Sequence, residues 1–187
     1  MKNFNIVLLF ISAIGFAGCA TKTSINKEEA GKVITSYLTA NPEYKTTKFH
    51  FGEVKFNSQS EMLDLLKYKA LANKGMITLS LLSAKKKFLS KDSSFVYQIK
   101  LTEKASSVVL KQSDDKATVK TVNYVLADTK PVDFSMVNSS TAKVTVSLKK
   151  ENTDFAPFDA EKYENSNFIT KTYKLKFDKD EGWKVQN

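Results

Sequence analysis

A strict alternation of apolar and polar residues near the C-terminal end constrains the fold more than any other feature of the sequence. Between residues 142 and 148 every second residue is apolar, and lysine, threonine and serine stand between them. The pattern returns between 169 and 177, with Lys171 as its exception. Because successive side chains of a strand point to opposite faces, this spacing predicts strands with one buried and one solvated face. We therefore expect residues 113–187 to form an antiparallel β meander.

The first half of the chain shows a different pattern, the 3.6-residue spacing of amphipathic helices. One helix is expected after Asn26 and a second from Ser58 onward with Ser58 or Ser60 as its cap, since side-chain oxygens of these residue types accept hydrogen bonds from the N–H groups of a first turn. Pro42 and Gly75 follow as stop signals. Between the helices, a phase shift in a β-like pattern at Gly52 indicates a bulge or tight turn. The expected apolar faces are Ala30, Val33, Ile34, Tyr37 and Leu38 in the first helix, and Met62, Leu65, Leu66, Ala70 and Leu71 in the second.

The segment that follows the second helix resembles part of a known fold. Residues 71–77, a lysine-rich hairpin and residues 99–105 are similar to the helix, wing and helix of winged-helix regulators of the multiple-antibiotic-resistance type. That family has Leu-Thr-Glu-Lys-Gly at the last helix, where this chain has Leu-Thr-Glu-Lys-Ala, with Thr102 as the expected N-cap. The resemblance implies an α+β fold, with N-terminal helices and a winged-helix-like β-hairpin in residues 27–112. The polar stretch Ser113–Lys116 is the expected boundary with the C-terminal β half.

An export signal and a single cysteine dominate the N-terminal end. The nearly unbroken apolar run from Ile6 to Phe16 is too short to cross a hydrocarbon core of about 30 Å as a permanent helix. It leads into Phe16-Ala17-Gly18-Cys19, which resembles the lipobox of bacterial lipoproteins. Cys19 is the one cysteine of the chain, so no intramolecular disulfide is expected.

The lipobox resemblance implies a location. Residues 1–18 would be a lipoprotein signal peptide, Cys19 would carry acyl chains such as palmitate, and residues 19–26 would be a tether. Two or more acyl chains hold a protein stably on a membrane, whereas one chain holds it only marginally. Because Ala20 stands where an aspartate would retain a lipoprotein at the inner membrane, the resemblance favours the outer membrane.

The composition argues against several classes of function. The net charge is +9, and all 29 basic residues are lysine. Bidentate contacts to bases and phosphates depend chiefly on arginine, so no nucleic-acid partner is expected. One histidine and one cysteine cannot assemble a zinc site, and the scattered glycines do not form a phosphate-binding loop. We expect no metal, no cofactor and no enzymatic activity.

Residues 150–167 form a long connection that is rich in aromatic and acidic residues. Loops of this length in a compact domain are often functional, and aromatic side chains supply large contact areas in interfaces. Phe155, Phe158 and Tyr163 are therefore candidate partner contacts. The alternative is that these rings anchor the loop to the sheet. Trp183, in the last expected strand, is interpreted as a core residue.

These features predict a lipid-anchored, noncatalytic lipoprotein of the cell envelope that acts as an interaction module for an unknown envelope protein. The alternative is an envelope lipoprotein that binds a small ligand, or that hydrolyses a substrate with carboxylates alone, because distant acidic residues can converge in a fold. A cavity of roughly 300 Å³ or more would favour this alternative.

Overall fold

The computed structural model describes residues 24–86, 93–159 and 166–186. These residues form a mostly β structure with 52% strand, 23% helical residues and two α-helices. The helices are α1 (Lys27–Ala40) and α2 (Gln59–Asn73). The strands are β1 (Glu43–His50), β2 (Gly52–Phe56), β3 (Ile77–Lys86), β4 (Ser93–Leu101), β5 (Val109–Gln112), β6 (Lys116–Leu126), β7 (Asp133–Asn138), β8 (Thr141–Asn152), β9 (Phe168–Asp178) and β10 (Gly182–Val185). Short 3-10 turns are formed by Glu103–Ala105 and Ala156–Phe158.

Seven strands form an antiparallel sheet that curls into a half-barrel. Its order is β1-β6-β8-β9-β10, with β5 beside the start of β6 and β7 beside the start of β8. The alternating residues between 142 and 148 lie in β8, and their apolar members are fully buried. The polar residues between them are exposed or half-buried, so this strand has the two faces that its spacing predicts.

A smaller antiparallel sheet has the order β2-β4-β3. The chain passes from the large sheet to the small one at Gly52, whose φ of +86° is a left-handed conformation that glycine adopts without strain. Next to it, the Phe51 N–H donates to the carbonyl oxygen of Asp115 at 2.9 Å. The turn indicated by the phase shift at Gly52 is thus the corner between the two sheets.

The first apolar cluster, the α1 core, joins α1 to the large sheet. The helix begins at its expected N-cap, where the Asn26 side chain accepts from the Glu29 N–H at 2.8 Å and the Glu29 carboxylate accepts from the Asn26 N–H at 3.2 Å. A Cβ on Gly31 would lie 2.3 Å from the Thr129 carbonyl oxygen, so the helix backbone lies directly against the segment before β7. The buried members of the α1 core are Ile25, Ala30, Ile34, Ala142, Val144, Val146, Leu148, Tyr173 and Leu175.

The second apolar cluster, the α2 core, joins α2 to both sheets. The helix begins at Ser58, whose hydroxyl accepts from the Glu61 N–H at 3.3 Å. The buried members of the α2 core are Phe49, Phe56, Leu65, Tyr68, Leu71, Met76, Ile77, Ile99, Ala105, Ala117, Val119 and Phe155.

The buried face of α2 differs from the face expected from its sequence. Leu65 and Leu71 are buried as predicted, but Leu66 is 60% exposed and Ala70 is also exposed. Tyr68, which was not assigned to the apolar face, is buried instead. The helix turns this side inward because the ring of Tyr68 packs among aromatic side chains that come from distant parts of the chain.

The expected α+β fold with a winged-helix-like hairpin is wrong. Strands β1 and β2 separate the two helices, and β3 and β4 form a hairpin within a three-stranded sheet that includes β2. Where the resemblance implies a further helix, the chain makes only the turn Glu103–Ala105 and then enters β5. The Thr102 hydroxyl does not cap a helix there, because it donates to the carbonyl oxygens of Gly75 at 2.7 Å and Met76 at 3.1 Å. This segment is therefore fastened to the end of α2, and the molecule is mostly β.

The expected boundary Ser113–Lys116 is the turn between β5 and β6, where the Ser113 N–H donates to the Lys116 carbonyl oxygen at 2.8 Å. β1, from the first half of the chain, pairs with β6, from the second half. The α2 core likewise contains Phe49 from one half and Val119 from the other. The division into residues 27–112 and 113–187 stays a prediction, which the number of melting transitions would test.

Candidate functional site

A surface cleft of about 530 Å³ lies between α2, the corner that joins β1 to β2, and the turn that follows β8. We name it the α2 cleft. Its volume falls in the range of about 300–1,000 Å³ that is typical of sites for small molecules. Three separate stretches of the chain supply its walls, so no local sequence pattern marks it.

Aromatic rings form the floor of the α2 cleft. Tyr68 is the central ring: its centroid lies 5.0 Å from that of Phe158 and 5.5 Å from that of Phe56, both in edge-to-face arrangements. The Tyr68 hydroxyl donates to the carbonyl oxygen of His50 at 2.9 Å. Burial raises the pKa of Tyr68 above its ordinary range, and the nearby charge of Asp64 raises it further. The phenol therefore stays a neutral hydrogen-bond donor in the floor.

Charged side chains surround this floor. The rim consists of Lys48, Lys55, Lys67, Glu53, Glu61, Asp64, Asp115, Asp159 and His50. Five acids and three lysines stand here, although the whole chain has a net charge of +9. Ion pairs fix part of the rim: the Lys67 Nζ lies 2.8 Å from Asp64 Oδ1, and the Lys45 Nζ lies 2.9 Å from Asp159 Oδ2. The rim is locally acidic on an otherwise basic protein.

The turn that follows β8 closes one side of the cleft because it folds back onto β6. The Thr153 hydroxyl donates to the Lys120 carbonyl oxygen at 2.6 Å, and the Thr153 N–H donates to that of Thr121 at 2.9 Å. At the other end of the turn, the buried Thr121 hydroxyl donates to Asp159 Oδ2 at 3.3 Å. These bonds make the start of the long connection a fixed part of the structure.

The structure separates the candidate partner contacts from one another. Phe155 has no exposed surface and packs edge-to-face on Phe49 at 5.0 Å, so it is a core residue and not a partner contact. Phe158 is half-buried and lines the α2 cleft, where the Lys67 Nζ lies 5.9 Å from its ring centroid. Tyr163 and Cys19 lie outside the described residues, as do residues 1–18 and most of the tether.

Among the residues that line the cleft, only Phe158 was a candidate from the sequence, and Tyr68 and His50 were not. Tyr68 follows Leu65 at a spacing of three residues, which places both on the same face of a helix, and this spacing was the signal that could have assigned Tyr68 to the apolar face. His50 is the one histidine of the chain; its side chain is exposed and lines the cleft, and its carbonyl oxygen accepts the hydrogen bond from Tyr68. The position of His50 could not have been predicted, because the corner at Gly52 brings β1 and β2 together around α2.

A second cleft of about 550 Å³ lies between α1 and β10. Trp183 lines it and packs against the α1 core, in contact with Phe177 at a centroid distance of 5.7 Å. Its indole nitrogen is enclosed and has no hydrogen-bond partner among residues 24–86, 93–159 and 166–186. Trp183 is half-buried at the edge of the core, between an interior and a surface position.

Within the described parts of the chain, no group of three or more histidine, cysteine or acidic side chains is placed to hold a metal ion. The same residues contain no helix that is long and apolar enough to cross a membrane.

Comparisons of the chain with protein-family models, with curated proteins and with solved structures give no match.

Proposed function

We propose that this protein is a noncatalytic interaction module of the cell envelope, and that its protein partner binds in the α2 cleft. The observation that supports this proposal best is the composition of the cleft, with an aromatic floor inside a charged rim. Protein interfaces combine a desolvated aromatic centre with a polar, solvent-exposed border in the same way. Phe158, the half-exposed one of the two candidate contacts that the structure describes, would be the anchor.

The charges of the rim favour a particular kind of partner. Since acids outnumber lysines around the floor, a segment with one apolar side chain between basic residues would match both parts of the cleft. The open form of the cleft suits an extended segment of another protein, which can lie across it and insert one side chain. Glu53, an exposed rim residue of β2, would then contact the basic part of the partner.

Site-specific photocrosslinking in intact cells tests this proposal. A photoreactive amino acid at Glu53 should capture the partner, whereas the same group at Val132, an exposed residue beside the α1 core, should not. Phe158→Ala should abolish the crosslink at position 53. Glu53→Lys, combined with a photoreactive group at Lys55, should weaken capture by reversing one rim charge.

Two results would count against a partner in the cleft. One is that photoreactive groups at positions 53 and 132 capture the same proteins in equal amounts. The other is full capture in Phe158→Ala. Since Phe158 also contacts Phe49 and Tyr68, the circular dichroism spectrum and melting curve of this variant must show that it remains folded.

We further propose that Cys19 carries the lipid and that the chain is held at the outer membrane. The lipobox motif and Ala20 support this part of the proposal. Labelled palmitate should enter the wild-type chain and be absent from Cys19→Ser. After density-gradient separation, the wild-type chain should sediment with outer-membrane fractions; a serine variant that remained membrane-bound at high salt would refute the anchor.

Binding of a small ligand is the second candidate function. The cleft volume of about 530 Å³ favours it, although most sites of this kind are predominantly apolar. Protein extracted from envelopes should then release a bound compound on denaturation, detectable by mass spectrometry. Phe158→Ala should release less of this compound than the wild type. If the cleft binds a protein instead, the wild type and the variant should not differ in the compound that they release.

A further inference from the structure

The second cleft, between α1 and β10, differs from the α2 cleft in its charges although the two have almost the same size. It is bounded by α1 from Lys32 to Asn41 and by Trp183–Val185 of β10, and we name it the α1 cleft. Its volume of about 550 Å³ is typical of sites for small molecules. None of the described residues that line it is acidic, whereas five acids stand on the rim of the α2 cleft. The α1 cleft is therefore the one of the two that suits a negatively charged ligand.

Apolar and aromatic side chains form much of the wall of the α1 cleft. Val33 and Tyr37 lie one turn apart on α1 and so share a face of the helix. Trp183 and Val185 share a face of β10, because they are two positions apart in a strand. All four side chains are half-buried and pack against the buried members of the α1 core. The wall thus offers an apolar surface that the described chain covers only in part.

One positive charge at the cleft has no acidic partner. Lys32 is exposed, and within the described ranges no hydrogen bond or ion pair joins its ammonium group to another residue. The two acids of α1, Glu28 and Glu29, lie in the turn before Lys32 and do not line the cleft. Ser36 is exposed one turn beyond Lys32, so its hydroxyl lies on the same side of the helix. An ammonium group and a hydroxyl group are thus available beside the apolar wall.

The other polar side chains of the wall have partners within the chain. Lys184 stands between Trp183 and Val185, so its side chain points to the opposite face of β10. Its Nζ is bonded to the Glu181 carboxylate and lies 3.6 Å from Asp178 Oδ2. The Asn41 side-chain amide donates to the Tyr37 carbonyl oxygen at 3.1 Å. The charge that the cleft presents to a ligand therefore comes from Lys32.

We propose that the α1 cleft binds a small amphipathic carboxylate, a molecule with an apolar chain or ring and a carboxylate at one end. Val33, Tyr37 and Trp183 would contact the apolar part. The carboxylate would accept hydrogen bonds from the Lys32 ammonium group and the Ser36 hydroxyl. One unpaired lysine matches a single negative charge, so a carboxylate fits better than a phosphate monoester, which carries nearly two. This inference does not depend on what binds in the α2 cleft.

The fluorescence of Trp183 in the full chain tests the proposal, because Trp183 is the one tryptophan. Its indole N–H has no hydrogen-bond partner among the described residues, so no acceptor fixes that end of the ring and a bound molecule should change its surroundings. Decanoate, added below the concentration at which it forms micelles, should change the emission in a saturable way. Decyltrimethylammonium, which has the same chain and the opposite charge, should bind more weakly, and acetate, which lacks the chain, should give no response.

Matched variants separate the charge of Lys32 from the general charge of the protein. Lys32→Gln should raise the Kd for decanoate about two- to fivefold, the effect of one solvent-exposed ion pair. Lys143→Gln removes an exposed lysine that does not line the cleft and changes the net charge equally, so it should leave the Kd unchanged. Ser36→Asp places a carboxylate one turn from Lys32 and should weaken binding more than Lys32→Gln does. Phe158→Ala, in the α2 cleft, should leave the Kd unchanged.

Specific outcomes would overturn the proposal. Equal Kd values in Lys32→Gln and Lys143→Gln, or tighter binding of decyltrimethylammonium than of decanoate, would show that the cleft does not select a carboxylate. The absence of a saturable signal both in fluorescence and in titration calorimetry would show that it does not bind such a molecule. A response that Phe158→Ala removes would place decanoate in the α2 cleft. Since Lys32 and Ser36 are exposed, their variants should fold, and circular dichroism checks this.

Discussion

The α1 core packs one helix against the large sheet and the α2 core packs the other helix against both sheets, and the two cores consist of different types of side chain. The α1 core combines small and aliphatic residues of α1 with the alternating apolar residues of β8. The α2 core is built around aromatic rings, and Phe49 contacts both Phe155 and Phe158 edge-to-face, at 5.0 and 5.1 Å. Both helices begin with a complete capping box, so the difference lies in the side chains that cover them.

This difference shows why the buried face of α1 could be predicted and that of α2 could be predicted only in part. The α1 core takes most of its sheet residues from a single regular strand, and the helix lies over them with its expected face. The α2 core collects rings from β1, β2, α2 and the turn after β8. Each ring fits only where the others leave room, so the packing depends on the whole set of distant contacts.

Removal of Phe155 should have the largest effect on stability and would test how far the α2 core depends on its rings. Phe155→Ala leaves a cavity among Phe49 and other buried residues, and should lower the free energy of unfolding by about 3–5 kcal/mol. Phe158→Ala, at a half-exposed ring, should have a clearly smaller effect. Chemical denaturation measures both. Equal effects would mean that the two rings have the same role.

A methyl group at Gly31 tests the close approach that shapes the α1 core. In an open helix, Gly→Ala stabilises by about 0.5–1 kcal/mol. Here the added Cβ would lie 2.3 Å from the Thr129 carbonyl oxygen and 2.9 Å from Pro131 Cδ. Gly31→Ala should therefore destabilise by about 1–3 kcal/mol through overpacking. Ser36→Ala, on the exposed side of α1, is the control, and a gain in melting temperature for Gly31→Ala would refute the close contact.

Each core contains one buried tyrosine, and alkaline pH should weaken both. Burial raises the pKa of Tyr68 and of Tyr173 above the ordinary range of tyrosine. The pKa of Tyr173 is raised further by the hydrogen bond that its hydroxyl donates to Glu43, 2.7 Å long. In the unfolded chain tyrosine loses its proton near pH 10, so above that pH the unfolded state binds fewer protons than the folded state. The free energy of unfolding should then fall by about 1.4 kcal/mol per pH unit for each tyrosine.

The phenylalanine variants assign this alkaline sensitivity to each core. Tyr68→Phe and Tyr173→Phe should each remove one of the two contributions when unfolding is measured between pH 9 and pH 11, roughly one unit on either side of the ordinary pKa of tyrosine. An unchanged slope in either variant would mean that the corresponding phenol ionises readily in the folded protein.

The helix caps should contribute similarly to the two cores. Asn26→Ala and Ser58→Ala each remove a side-chain acceptor at a helix N-terminus, and each should lower the free energy of unfolding by about 1 kcal/mol. The α2 cap also contains a titrating group, because the backbone N–H of Asn57 lowers the pKa of Glu61. The stabilisation by ionised Glu61 is present above the pKa that Glu61 has in the unfolded chain. It is lost as the pH falls through the lower pKa of Glu61 in the folded protein. Glu61→Gln should reduce the acid dependence in urea melts.

Leu66→Gln should have the smallest effect on stability, and it tests the face of α2. Because Leu66 is 60% exposed, the substitution should change the free energy of unfolding by less than about 0.5 kcal/mol. Leu65→Gln, one position earlier in the helix, would place an amide in the α2 core and should be strongly destabilising. A large loss for Leu66→Gln would restore the face expected from the sequence.

Local features of the fold could be predicted from the sequence because short-range physics controls them. The caps at Asn26 and Ser58 depend on residues three positions away, and the two faces of β8 follow from the geometry of a strand. The corner at Gly52 was also visible as a break in the pattern. The winged-helix resemblance failed because Thr102 bonds to the end of α2, a contact 27 residues away in the chain.

By itself the sequence determined where the helices begin, which faces β8 presents, and the excess of lysine over acid. The tertiary structure alone decided that Tyr68 turns inward while Leu66 stays exposed, and that Phe155 is core while Phe158 faces the α2 cleft. The reason is the range of the interactions. Caps and strand alternation involve neighbours in the chain, whereas the cleft and the aromatic floor exist only after β1, α2 and the turn beyond β8 have packed together.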